Sequence, residues 1–137
     1  MNSTAQVSLE WLLLAAAFLA LFAVLLPAFQ LVAEAGFWGL EVAKAKSFAD
    51  SFQQKTVLLN ALGNGSRMVM RVSTGMPWII KTEENRLEVW VLENEREKRF
   101  ERQLSFPAIS TEFEVVGSVQ LVLQKQNNVL IVNRQFD

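Results

Sequence analysis

The chain has no cysteine, no histidine and no tyrosine. Those absences remove disulfides, thiolate and imidazole metal sites, cysteine nucleophiles and histidine general bases together. An enzyme built from this sequence would have to run on carboxylates, lysine or serine alone. A surplus of either charge is missing too: 13 lysines and arginines stand against 14 aspartates and glutamates, a net charge of −1. There is accordingly no electrostatic case for a nucleic-acid partner. The acidic residues Glu83, Glu84 and Glu88 show neither the spacing of a calcium loop nor a basic catalytic partner. No catalytic residue, metal or cofactor is assigned.

Charge is also missing locally. From Trp11 to Phe29 every residue is uncharged and nearly all are Leu, Ala, Phe or Val, close to the ~20 residues a helix needs to cross a bilayer core. A cleaved secretory signal would begin with basic residues and end in a small-residue cleavage site. Met1 to Ala5 carry no Lys or Arg, and after Phe29 the pattern turns amphipathic without a break. The expectation is a membrane segment that is retained, with Trp11 as an interfacial anchor.

From Gln30 to Leu62 apolar residues recur at helical spacing, among them Leu31, Ala35, Trp38, Val42, Ala45, Ala49, Phe52 and Leu59, with Glu34, Glu41, Lys44, Lys46, Asp50 and Lys55 at polar positions. One helix is expected through both segments, ending at Gly63-Asn64-Gly65, where the left-handed turn that closes helices is easily made. At ~1.5 Å per residue it would be ~80 Å long. Pro27, Gly36 and Gly39 are the candidate bends.

Beyond Ser66 the composition changes. Runs such as "SRMVMRVS", "PWIIKT", "RLEVWVLE", "KRFERQLSF", "TEFEVV", "SVQLVLQKQ" and "NVLIVNRQ" are rich in Val, Ile, Leu and aromatics and are separated by Gly, Pro, Asn and Ser. They read as short strands, with Asn127-Asn128 as a tight turn. The fold class is α+β: a long N-terminal helix, hydrophobic then amphipathic, and a C-terminal antiparallel β head over 66–137. Trp90 is expected in the head core, and Trp78 in core or subunit packing. The mixed charges of Glu93 to Arg102 read as a solvated hairpin or edge strand guarded against aggregation. Asn64-Gly65-Ser66 is an N-glycosylation sequon at an expected exposed turn, making Asn64 a candidate modification site.

One carboxylate, Glu10, stands at the mouth of the apolar run, an expensive place for a charge unless it is paired or interfacial. The stretch "QVSLE", Gln6 to Glu10, followed at once by the apolar helix, resembles the Q-x-S-x-E start of archaeal type IV pilins with class III signal peptides. The resemblance implies that a prepilin peptidase cuts between Ala5 and Gln6. Residues 1–5 are then a leader, 6–33 the membrane and filament-core part of the helix, and 34–62 the part that packs on the head. It implies further that Gln6 and Glu10 act in assembly, the carboxylate neutralising the new terminal amine of its own or a neighbouring subunit in low dielectric. The implied partners are copies of the chain itself and related pilins, the peptidase, a secretion ATPase and a membrane platform. The implied location is the cytoplasmic membrane as precursor and then an extracellular adhesive filament. A membrane-tethered extracytoplasmic binding module that never polymerises is the rival expectation, and a low-copy minor or tip pilin a third.

Overall fold

The computed structural model describes the backbone of residues 3–135 and the side chains of residues 8–135. Its elements are one helix, α1 (Ser3–Leu62), and three strands, β1 (Arg67–Glu93), β2 (Arg96–Gln126) and β3 (Val129–Gln135). The strands form an antiparallel sheet in the order β1-β2-β3, so the chain has the α+β fold expected from its sequence. It divides into two compact units, Met1–Phe37 and Trp38–Asp137.

The first unit is helical, and its described residues are exposed on every side. The helical assignment continues through Pro27, Gly36 and Gly39. In the second unit the residues of α1 are sorted by face. Glu41, Ala45, Phe48, Ala49, Phe52, Thr56 and Leu59 are buried at steps of three and four, the period that brings one face of a helix onto a core. Of the expected stripe, Ala45, Ala49, Phe52 and Leu59 are buried, Trp38 and Val42 are half-buried, and Leu31 and Ala35 are exposed. The helix closes as expected: Gly63 has φ of 90° and its N–H donates to the Leu59 carbonyl at 3.2 Å.

The head core joins that helical stripe to Met70, Val72, Trp78, Ile80, Leu87, Val89 and Val91 of β1, to Leu104, Phe106, Val115, Val119, Leu121 and Leu123 of β2, and to Leu130 and Val132 of β3. Phe48 is the aromatic centre, with its ring 5.9 Å from Phe52 and 6.0 Å from Trp78. A fully buried side chain such as Leu59 contributes about 1.5–3 kcal/mol by leaving water.

The head corrects two expectations. Seven short strands were implied by the Gly, Pro and Asn separators, yet among the described residues of the sheet only Asn94-Glu95 and Asn127-Asn128 reverse the chain. The other separators are absorbed as irregularities within long strands: the β1–β2 register shifts between Thr74 and Trp78, spanning Gly75 and Pro77, and twice around Glu84. Bulges admit residues that a regular ladder rejects and bend the strand that carries them. The bending is visible in β3, where Leu130 has both Lys125 and Ala108 of β2 as partners. A strand residue has only two sheet neighbours, so β2 curls until it borders β3 twice. Buried Thr82 holds the irregular stretch, its hydroxyl donating to the Ile109 carbonyl at 2.9 Å and meeting the Thr111 hydroxyl at 2.7 Å.

The second correction concerns Trp90. Leu87, Val89 and Val91 are buried, so the two-residue strand period turns Glu88, Trp90 and Leu92 to the opposite face, where all three are half-buried. Trp78 is in the core as expected, 1% exposed, with its indole N–H buried and without a partner among the described residues.

Candidate assembly helix and head surface

On the N-terminal unit the apolar residues that the sequence singles out have no cover within the chain. Leu19 is 70% exposed, Val24 73% and Trp11 69%, and from Leu9 to Phe37 the large apolar side chains alike face outward. The helix is long and apolar enough to cross a membrane. Trp11, Leu14, Ala15, Phe18 and Leu19 share one face and outline an open hollow of about 490 Å³, with the small Ala15 among larger neighbours. Phe18 and Phe22 lean together at 5.1 Å.

Glu10 is exposed and lies one helical turn after Gln6. Ala5 and Gln6 have helical backbone, since α1 begins at Ser3, but their side chains lie outside the described residues. At Gly36 and Gly39 an added Cβ would meet no atom within 4 Å, so neither glycine is required by a close approach inside the chain.

The helix-to-sheet junction is held by polar residues whose role the sequence did not disclose. Glu41, read as a polar-face residue, is buried. Its Oε2 accepts the Gly75 N–H at 3.1 Å and its Oε1 accepts Lys44 Nζ at 2.7 Å. Gly75 lies in the register gap, where a backbone N–H without a strand partner needs an acceptor. Lys125 is buried on β2, with Nζ donating to Asn60 Oδ1 at 2.8 Å and to the Asn60 carbonyl at 3.4 Å, and lying 5.1 Å from the Phe106 ring centroid. The last turn of α1 contains no basic residue. The sheet therefore supplies the cation that the carbonyl end of a helix favours. The signal in the sequence was a lone charge on the inward period of an apolar strand, which is expensive unless it is paired.

Asn64 is exposed in the turn after α1, between Gly63 and Gly65 with φ of 90° and 86°. Its side-chain oxygen accepts the Asn128 N–H at 3.0 Å, tying the sequon turn to the Asn127-Asn128 turn, and Ser66 Oγ donates to the Gly63 carbonyl.

Part of the charged hairpin is paired within the chain. Arg99 Nη2 reaches Glu88 at 2.6 Å and Glu101 at 3.1 Å, Arg86 lies 3.6 Å from Glu101, and Arg102 Nε donates to Asp50 of α1 at 2.7 Å. The Arg99 guanidinium lies 5.1 Å from the Trp90 ring centroid, and the Trp90 indole N–H donates to Glu88 Oε2 at 3.2 Å. Beside this group the sheet forms a recess of about 350 Å³ lined by Ile79, Lys81, Glu88, Trp90, Leu92, Glu97 and Glu112. Lys81 is 3.1 Å from Glu83. The hydrogen bond that Lys81 donates to Glu83, and then the Glu83 charge, hold the Lys81 ammonium above the ordinary lysine value of 10.5.

No family model, no curated protein and no solved structure matches this chain. Its long apolar N-terminal helix followed by an antiparallel sheet is an architecture compatible with pilins.

Proposed function

We propose that this chain is the structural subunit of an archaeal type IV pilus-like filament, cut between Ala5 and Gln6 and assembled through the apolar part of α1, with the β head outward for surface adhesion. The observation that carries the reading is the exposed apolar surface of the helix from Leu9 onward, all of which needs an apolar environment from outside the chain. A bilayer supplies that environment to the precursor, and neighbouring helices supply it in a filament. The Q-x-S-x-E start supports the second environment as the destination, and the hollow at Ala15 suits knob-into-hole packing. Glu10 is the register element, its carboxylate meeting the amine of Gln6 on its own or a neighbouring subunit in low dielectric.

The test is N-terminal peptide mass spectrometry on filaments sheared from native cells. Abundant peptides beginning at Gln6, open or cyclised, are the expected result. A chain found only in membranes with Met1 or an upstream start retained would overturn the reading in favour of a tethered binding module. A Glu10→Gln variant separates the two as well: a filament subunit loses assembly while keeping membrane insertion, whereas a simple anchor is indifferent.

A further inference from the structure

A cleft of about 290 Å³ lies where α1 passes β1. Ser47, Phe48 and Ser51 form its helix wall, and the four consecutive residues from Met70 to Ser73 form its strand wall. Met70 and Val72 are buried while Arg71 and Ser73 are exposed, so their side chains leave the strand on opposite faces. Residues of both parities line one cleft only along the edge of the strand, through its backbone. That edge is the open one. β1 is an outer strand of the order β1-β2-β3, its residues 67–74 pair with β2 residues 117–124, and among the described residues no strand pairs with its other side. Just past the cleft the helix already serves this strand, where Glu41 accepts the Gly75 N–H at 3.1 Å.

An independent observation at the same cleft concerns Trp78, which is 1% exposed and part of the lining. Its indole N–H is buried without a partner among the described residues, a costly state that an acceptor in the cleft relieves. The hydroxyls of Ser47, Ser51 and Ser73 also have no partner among the described residues. The two cations of the lining, Lys44 and Arg71, are both engaged, so charge does not choose the occupant. The open edge does. It presents backbone donors and acceptors over four residues, ~13 Å at ~3.3 Å per residue, and another extended backbone matches such a row group for group. A second copy holds its own strands in its sheet, and the helix wall leaves room for one extended chain and none for the edge of another folded sheet. The occupant is therefore a flexible segment of a different polypeptide.

We propose that this cleft takes an extended peptide segment of a partner protein as an added strand on β1, its backbone paired with residues 70–73, slender side chains toward Ser47 and Ser51, and one of its oxygens accepting the Trp78 N–H. Every residue of the cleft belongs to the second compact unit, so the site does not depend on whether the chain polymerises.

The full chain in dodecyl maltoside micelles is titrated with acetyl-Thr-Val-Ser-Val-Thr-amide, following the Trp78 indole N–H resonance, assigned through Trp78→Phe, and the backbone amides of residues 70–73. The expected result is a saturable shift of both. A peptide N-methylated at its two valines alone keeps one donor edge and should still bind, whereas methylation of every amide removes two or more backbone hydrogen bonds and should weaken binding at least about tenfold. Ser51→Phe fills the cleft and should abolish both shifts, with far-UV circular dichroism to verify its fold; the methylated series needs no variant of the protein. No saturable shift with the unmodified peptide, or equal affinity for the fully methylated one, overturns the proposal.

Discussion

Glu41 shows how much one side chain can decide. Its carboxylate is buried where the ladder between β1 and β2 lapses, and it serves the Gly75 N–H and Lys44 together. Glu41→Ala leaves a buried N–H without an acceptor and is expected to cost about 1–3 kcal/mol, read from denaturant unfolding. Glu41→Gln keeps one acceptor oxygen and should lose less. Lys81 offers a pH signature at the same scale. Its ammonium is held above 10.5 by the hydrogen bond and charge of Glu83. A raised lysine contributes its stabilisation fully below the unfolded value and loses it as pH rises through the folded one. The Lys81 side-chain carbon shifts should therefore titrate above 10.5, and Glu83→Gln should bring the midpoint back toward that value.

At the scale of elements, the helix carries two glycines whose added Cβ would meet no atom of the chain within 4 Å. Gly36→Ala and Gly39→Ala should each stabilise the isolated chain by about 1 kcal/mol in thermal unfolding in micelles, since glycine is the weaker helix former. If those positions are close-packed between subunits, the same variants impair filament assembly. The β2–β3 turn makes the opposite demand: Asn127 and Asn128 have φ of 52° and 63°. Asparagine and glycine tolerate that region and a β-branched residue does not. Asn128→Gly should be close to neutral and keep the N–H that Asn64 accepts, whereas Asn128→Val should cost about 1–2 kcal/mol in the same assay.

For the whole molecule, the decisive fact is where the core lies. Every residue of the buried cluster falls between Ala45 and Val132, within the second compact unit. A chain of residues 38–137 should therefore fold cooperatively without the apolar segment, with a single denaturation transition that a core substitution such as Phe52→Ala lowers by about 3–5 kcal/mol. Among the described residues the first unit contributes no side chain to that cluster, so its apolar surface is available to whatever lies outside the chain. In the proposed filament that is the helix of the next subunit.

Much of this was legible in the residues because it rests on local period and local backbone preference. The uncharged run, the helical stripe from Ala45 to Leu59, the stop at Gly63, the Asn127-Asn128 turn and the α+β class all follow from which side chains recur at which spacing. The candidate assembly motif, with Glu10 at the mouth of an apolar helix, rests instead on the resemblance of Gln6 to Glu10 to a Q-x-S-x-E start. The tertiary structure alone decided the rest. Strand separators became bulges because pairing with a distant strand compensates an irregular residue that would otherwise end the run. Trp90 took the outer face because burial of Leu87, Val89 and Val91 set the parity of that stretch. Glu41 and Lys125 became buried anchors because their partners, Gly75 and Asn60, lie 34 and 65 positions away. The outer recess likewise joins residues that meet only when the hairpin bends. Spacing along a chain carries local geometry, while partnership across a core depends on which distant groups folding leaves unsatisfied.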